Sequence, residues 1–200
     1  MQTEENHHGS RKERTETERR ILAAGRVLFM ADGFSGVSTD MLCREAGVSK
    51  TSLYKYFGNM MGVLEAMVEE EGDLYDLGPV TPTDGEGAFW TALHTFGHNL
   101  LTLLNNEFCI KLDRMLHEEA RTHPELAERF YNAAYGRGHR EVAGLIELGR
   151  ARGYVTVERS STDLADNLIC MWEGMAFVRT RLGLSDAPFP EPERWARQCV

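Results

Sequence analysis

The chain has 200 residues, 42% of them hydrophobic and 26% charged, with a formal net charge of -9. That length and apolar content suffice for one large or two small packed domains. No apolar run approaches the roughly 20 residues of a membrane span, and the polar, charged start reads as neither a signal nor a transit peptide, so no membrane partner and a cytoplasmic location are expected.

Residues 1–13 have almost no apolar content and are expected to form a disordered tail. Arg11, Lys12 and Arg14 are interleaved with Glu13, Glu16 and Glu18, which reads as a solvated helix start rather than a basic arm. A first helix is expected over about 14–32, with Ile21, Ala24, Leu28 and Phe29 on one side and Gly33 as its stop. Gly25 inside it implies either a close backbone approach or a loss of roughly 1 kcal/mol of helix stability.

Two short helices should follow. Ser38 can accept an orphan amide of the first turn while Val37 packs on Leu42, an N-cap with a hydrophobic staple. The same grammar recurs at Val48, Ser49 and Leu53, and Gly47 between the two suits a left-handed helix end. Leu42, Cys43, Ala46, Val48, Leu53 and Phe57 recur at helical spacings and would form a shared core. Left over on the second helix are Lys50, Thr51, Ser52, Tyr54, Lys55 and Tyr56, which combine cations, hydroxyls and polar rings with no acid among them. That is the chemistry of a helix laid against double-stranded DNA, where hydroxyls and lysines bind phosphates and long donors reach base edges. A solvated helical hairpin is the plainer alternative.

A fourth helix is expected over about 59–75, with Val63, Leu64, Met67, Val68 and Leu74 inward and Glu69, Glu70 and Glu71 outside. Turn formers then crowd 78–85. The expected division is therefore a helix-turn-helix domain over 14–58, a linking helix over 59–77, a loop over 78–85 and a second helical domain over 86–200. Residues 1–58 hold 9 Lys and Arg against 8 Asp and Glu, whereas the remainder holds 13 against 23, so the acid excess lies outside the proposed DNA-facing half.

From residue 86 the pattern is helical throughout, and the fold class is all-α. Phe89, Trp90, Leu93, Phe96, Leu100, Leu101 and Leu104 make one apolar stripe; Phe108, Leu112, Met115 and Leu116 make another. Pro124 suits the first turn of a helix carrying Leu126, Phe130 and Tyr131. Gly136 and Gly138 are expected to break that segment before Val142, Leu145, Ile146 and Leu148 resume it. A long helix over 162–182 and a last one from about 190 to 200 complete the chain.

Gly33-Phe34, Ser38, Leu42-Cys43, Ala46-Gly47-Val48-Ser49 and Leu53-Tyr54-Lys55-Tyr56-Phe57 are together very similar to the DNA-binding domain of the TetR family of bacterial transcriptional regulators, over roughly residues 14–75. The resemblance implies a homodimer with an N-terminal three-helix DNA-binding domain and a larger helical domain for ligand binding and dimerisation. By the same resemblance Lys50, Thr51 and Tyr54 would face base edges, while Ser38, Thr39, Ser52, Lys55 and Tyr56 would contact phosphates. Met60 departs from the family, which commonly has lysine there to hold the DNA backbone. The second half resembles the AefR-like type of C-terminal domain, in His123-Pro124-Glu125-Leu126-Ala127, Phe130-Tyr131 and Trp172-Glu173-Gly174. That implies that the last two long helices pair with a second subunit, with Ala165, Leu168, Ile169, Trp172, Ala176 and Arg179 as interface candidates.

A small hydrophobic or aromatic effector is the expected ligand. Trp90, His94, Phe108, Met115, Phe130, Tyr131, Met171, Trp172 and Met175 are its candidate contacts, with Phe96, Tyr135 and Phe177 as further aromatic surface; ordinary core is the alternative for any of them. His94 and His98 share a helix face, yet two histidines do not make a metal site, so no metal and no cofactor is expected. Cys43, Cys109, Cys170 and Cys199 form no CxxC pair and are read as reduced thiols. No GxSxG, HExxH, P-loop or GxGxxG occurs, and no constellation of catalytic residues stands out. The resulting expectation is a dimeric, ligand-responsive repressor on a palindromic operator. The alternative is a helical small-molecule carrier or sensor with a vestigial DNA-binding half.

Overall fold

The computed structural model describes residues 14–77 and 85–199. The tail over 1–13 and most of the loop expected over 78–85 lie outside them. The described residues form ten helices and no strand: α1 (Glu16–Gly36), α2 (Thr39–Ala46), α3 (Lys50–Phe57), α4 (Met60–Leu74), α5 (Gly85–Leu104), α6 (Glu107–Glu119), α7 (Pro124–Ala133), α8 (Tyr135–Ala151), α9 (Ser161–Arg181) and α10 (Pro192–Gln198).

Local chemistry sets most boundaries. Thr15 and Glu18 cap α1 reciprocally, each side chain accepting from the other's backbone amide. Gly33 leaves the helical region at φ 72°, and a short extra turn carries the chain to Gly36. Ser38, Ser49, Asn59, Asn106 and Ser160 each accept an amide in the first turn of the helix they begin.

The break between α7 and α8 falls at Ala134 (φ -98°, ψ -85°), not at Gly136 and Gly138, which lie inside the first turn of α8. Gly136 instead keeps the backbone close, because a Cβ there would stand 3.2 Å from the Tyr131 carbonyl oxygen. The segment expected as one long helix over 162–182 is broken at Gly174 (φ 50°, ψ -162°). The carbonyls of Met171 and Trp172 just before that break accept instead from the Cys199 thiol and the Trp195 indole N–H, so α10 supplies donors to the interrupted ladder.

Two hydrophobic cores result. In the first, Ile21, Leu22 and Phe29 of α1 meet Leu42, Leu53, Leu64 and Met67 from α2, α3 and α4, and Leu112, Met115 and Leu116 of α6 with Leu126 of α7 close over them. The second gathers Phe89, Phe96, Val142, Trp172 and Phe189 from α5, α8, α9 and the approach to α10. Packing thus assigns α6 and α7 to the same core as the N-terminal helices, although the chain runs through α5 first. Burying side chains of this size contributes about 1.5–3 kcal/mol each.

Gly25 serves close packing: a Cβ there would meet Met67 Sδ at 3.0 Å and Val63 at 3.3 Å, so α1 and α4 touch nearly backbone to side chain. Helix α4 is also tied ionically on several sides. Arg26 of α1 pairs with Glu70 (2.9 Å) and Glu71, Arg129 of α7 with Glu65 (3.1 Å), and Arg137 of α8 with Asp73 (2.7 Å). Arg14 donates to the Ala66 carbonyl, so it anchors α1 on α4. The expectation that Glu69, Glu70 and Glu71 all face outward is corrected here. Glu71 continues the inward row Leu64, Met67, Val68 and is only 6% exposed, and Glu70 is half-buried under Arg26. A buried carboxylate persists because the Arg26 guanidinium, itself lying 4.3 Å over the Phe108 ring, compensates part of its charge.

Candidate functional site

The turn between α2 and α3 is fixed by local geometry. Gly47 lies in the left-handed region (φ 61°), the Val48 amide donates to the Cys43 carbonyl, and Arg20 of α1 donates to the Gly47 carbonyl at 2.7 Å. Leu53, fully buried, holds α3 on the core. The opposite face is open. Lys50, Thr51, Tyr54 and Lys55 are exposed, Tyr54 to 50%, while Ser52 and Tyr56 are half-buried. No acid occupies the first turn of α3, so its amide dipoles and the Lys50 and Lys55 ammonium groups act with the same sign toward an approaching phosphate.

Not every candidate side chain is idle. The Ser38 hydroxyl accepts from the Met41 amide at 3.2 Å, and the Ser52 hydroxyl lies 3.0 Å from that of Ser49. Ser38 is exposed, so its hydroxyl can donate outward while it caps α2, whereas α3 is capped by Ser49, whose hydroxyl accepts from the Ser52 amide at 3.1 Å. Thr39, the first residue of α2, is half-buried. Lys50 Nζ stands 2.8 Å from Asp40 Oδ1, and that hydrogen bond holds its pKa above the ordinary lysine value. Lys55 Nζ lies 5.3 Å from the Tyr56 ring centroid. Met60 begins α4 and packs on the first core rather than pointing freely outward. Directly behind it, a Cβ on Gly62 would fall 1.9 Å from the Phe57 carbonyl oxygen, so the first turn of α4 abuts the end of α3.

Further along α4 a cavity of about 110 Å³ opens between the two cores. Val68, Glu71 and Gly72 of α4 form one wall, Leu100, Leu103 and Leu104 of α5 and Cys109, Leu112 and Asp113 of α6 others; Phe130, Tyr135, Arg137, Ile169, Glu173 and Phe177 complete it from α7, α8 and α9. Asp113, buried, accepts from Arg181 (2.9 Å) and from the Tyr135 hydroxyl (2.5 Å). Burial first, and then Asp113, push the Tyr135 phenol well above its ordinary pKa, so it remains a donor. Burial pushes the Cys109 thiol up to about 12, which keeps it protonated and unreactive.

Of the nine candidate effector contacts, the cavity is lined by Phe130; of the further aromatic surface, by Tyr135 and Phe177. Trp172 is fully buried in the second core, tilted against Phe96 (6.2 Å between centroids), and a Cβ on Gly97 would stand 2.6 Å from its indole. Met115 belongs to the first core. Trp90 packs on Phe89 and donates to Glu86. Phe108 lies under Arg26, and His94 is half-buried on α5. Tyr131, Met171 and Met175 face solvent, Met175 to 65%. Among the described residues no group of three or more His, Cys, Asp or Glu is placed to hold a metal ion. The charged members of the lining carry no apolar periodicity; the one usable signal was the spacing of Glu71, expected outside, with the inward Leu64, Met67 and Val68 of α4.

Of the interface candidates on α9, Arg179 is exposed and Leu168, Ile169 and Ala176 are half-buried. Ala165 and Trp172 are buried within the chain, whereas Met171, Met175, Val178 and Leu182, spaced four, three and four residues apart, are exposed. No described helix is long and apolar enough to cross a membrane.

Known proteins of the same kind bear on both halves. The family model for bacterial regulatory proteins of the tetR family matches residues 21–67, and the model for the AefR-like transcriptional repressor C-terminal domain matches 91–200, more than half of the chain. The HTH-type transcriptional regulator SrpR of Pseudomonas putida is 32% identical over 81 residues, 40% of this chain and 38% of that protein. TtgW, an uncharacterized HTH-type transcriptional regulator of the same species, is 31% identical over 81 residues, 40% of this chain and 60% of that protein. Among solved structures, a TetR transcriptional regulator from Agrobacterium tumefaciens aligns over 93% of this chain and 91% of its own, with 25% identity and a TM-score of 0.73. The flavonoid-responsive regulator FrrA aligns over 92% of both chains with 23% identity and the same TM-score. The chain belongs to the TetR family of bacterial transcriptional regulators, with an AefR-like C-terminal domain.

Proposed function

We propose that this regulator is a repressor that binds a palindromic operator as a homodimer and is released when a small hydrophobic effector enters the cavity between its two cores. The observation that carries the reading is the position of α4. Its first turn abuts α3, and its later turns wall the cavity at Val68, Glu71 and Gly72. A ligand that needs more room than about 110 Å³ must move a wall; an engineered cavity of roughly 150 Å³ is what benzene needs. Displacement of α4 carries α3 with it and changes the separation of two recognition helices in a dimer. The effector shifts the equilibrium by its differential affinity for the two arrangements and by no more than that.

Lys50, Thr51 and Tyr54 are assigned to base edges, and Ser38, Thr39, Ser52, Lys55 and Tyr56 to phosphates. The exposed apolar residues Met175, Val178 and Leu182 that follow the Gly174 break, with Met171 before it, are assigned to the dimer contact, since exposed apolar surface of that kind marks an association surface. Selection from a random double-stranded DNA pool, followed by titration at two salt concentrations, tests the reading. A palindromic consensus whose affinity falls steeply with salt is the expected result. Folded protein that enriches no sequence returns the chain to the carrier reading.

A further inference from the structure

The charges around the cavity do not balance. Among the described residues three carboxylates line it, Glu71, Asp113 and Glu173, against one cation, Arg137. Arg137 is already spent on Asp73 at 2.7 Å, and Asp113 is satisfied by Arg181 and the Tyr135 hydroxyl. Glu71 is more than nine-tenths buried; its Oε1 pairs with Arg26, which it shares with Glu70, but its Oε2 has no hydrogen-bond partner. Glu173 makes no hydrogen bond or ion pair among the described residues. Burial first, and then the nearby Asp113 against the pull of Arg181, hold its carboxyl above the usual carboxylate range. A buried acceptor without a donor is costly, and any donor brought to it is favoured.

Resting on the reading that this cavity is the effector site, we infer that it takes a hydrophobic cation: a small apolar body bearing a protonated amine or amidine, whose N–H groups meet the carboxylate of Glu173, with the buried charge of Glu71 in the facing wall adding to the attraction. The leucine, isoleucine and phenylalanine walls receive the apolar part. An anionic ligand is excluded by the same groups, because its charge would be buried beside carboxylates while the one lining arginine stays engaged with Asp73. A neutral ligand of the same shape fills the walls and leaves Glu173 unmatched.

Calorimetric titration of the full-length protein with benzylamine, benzyl alcohol and benzoate holds the apolar body fixed and varies the head. Benzylamine is expected to bind at least about tenfold more tightly than benzyl alcohol, the effect of one hydrogen bond to a charged group, and benzoate more weakly than either. Glu173→Gln, which sacrifices no contact of the free protein, is expected to bring amine and alcohol to within about twofold of each other. Benzoate binding as well as or better than benzylamine overturns the inference, as does an amine preference that survives both Glu173→Gln and Glu71→Gln. Leu103→Trp, which fills the cavity, separates this failure from that of the underlying reading. If it abolishes binding while the head-group order is wrong, only the charge inference falls. If benzylamine binds it unchanged, the cavity is not the ligand site and both fall, as they do if none of the three binds the wild-type protein.

Discussion

Replacing Gly62 by alanine adds one methyl group where the first turn of α4 meets the end of α3. The new Cβ falls 1.9 Å from the Phe57 carbonyl oxygen, and easing it to a tight contact of 3.0 to 3.4 Å requires the helices to part by about 1.1 to 1.5 Å. Two effects oppose each other. Helix propensity alone favours alanine by about 1 kcal/mol. Against it stand overpacking, about 1–3 kcal/mol, and the strained cap in which Asn59 Oδ1 accepts from the Gly62 amide at 2.9 Å, about 1 kcal/mol more. The unfavourable side wins by about 1–3 kcal/mol, a fall in Tm on the order of 2–12 °C for a chain of this size. DNA binding is expected to suffer as well: a shift of about 1 Å would take Lys50 and Tyr54, assigned above to base edges, out of hydrogen-bonding geometry together, and operator affinity is expected to fall at least about tenfold, or about 1.4 kcal/mol. Thermal melts and operator titrations by fluorescence anisotropy at fixed salt read both quantities. Gly87→Ala, in the first turn of α5 with nothing within 4 Å of the new Cβ, serves as the control and should keep wild-type operator affinity. A Gly62→Ala protein with a raised Tm and undiminished operator affinity refutes the reasoning.

Four further substitutions address the DNA-facing helix, the dimer and the cavity. Tyr54→Ala and Lys50→Ala are expected to abolish operator binding with the dimer intact by sedimentation; undiminished affinity in both rejects α3 as the recognition helix. Met175→Glu places an unpaired charge on the exposed α9 row and should weaken dimerisation by at least about a hundredfold while helical content is kept, read by concentration-dependent sedimentation. Glu173→Gln should raise Tm more at pH 8 than at pH 4.5. Its folded pKa is raised by burial, so ionising it costs stability as pH rises from the ordinary glutamate range through the folded value, and the amide removes that cost. Each kcal/mol relieved is worth ~2–4 °C, and an equal change in Tm at both pH values contradicts the assignment.

The helix ends of the N-terminal half were legible in the sequence because their causes lie within four residues. Ser38, Gly47 and Ser49 cap and stop α2 and α3 wherever that stretch folds, and the open face of α3 is what remains once Leu53 and its spacing partners are taken inward. Gly25 posed a choice that α4 resolved, since only the approach of Met67 and Val63 makes the missing Cβ useful. The cavity was not legible in this way. Trp172, Met171 and Met175 stood as equal candidates in the sequence, yet Trp172 is sealed against Gly97 while the methionines face outward, a difference set by the break at Gly174 and by how α5 and α10 lie against α9. The charged lining was hidden for the same reason. Glu71 was expected outside and no local pattern singles out Asp113 or Glu173; Arg26 and Arg181, 45 and 68 residues away from Glu71 and Asp113, are brought beside them only by the fold. Caps, stops and amphipathic faces are properties of a few neighbouring residues; which helices share a core, and where two cores leave a gap, depends on contacts between residues far apart in the chain.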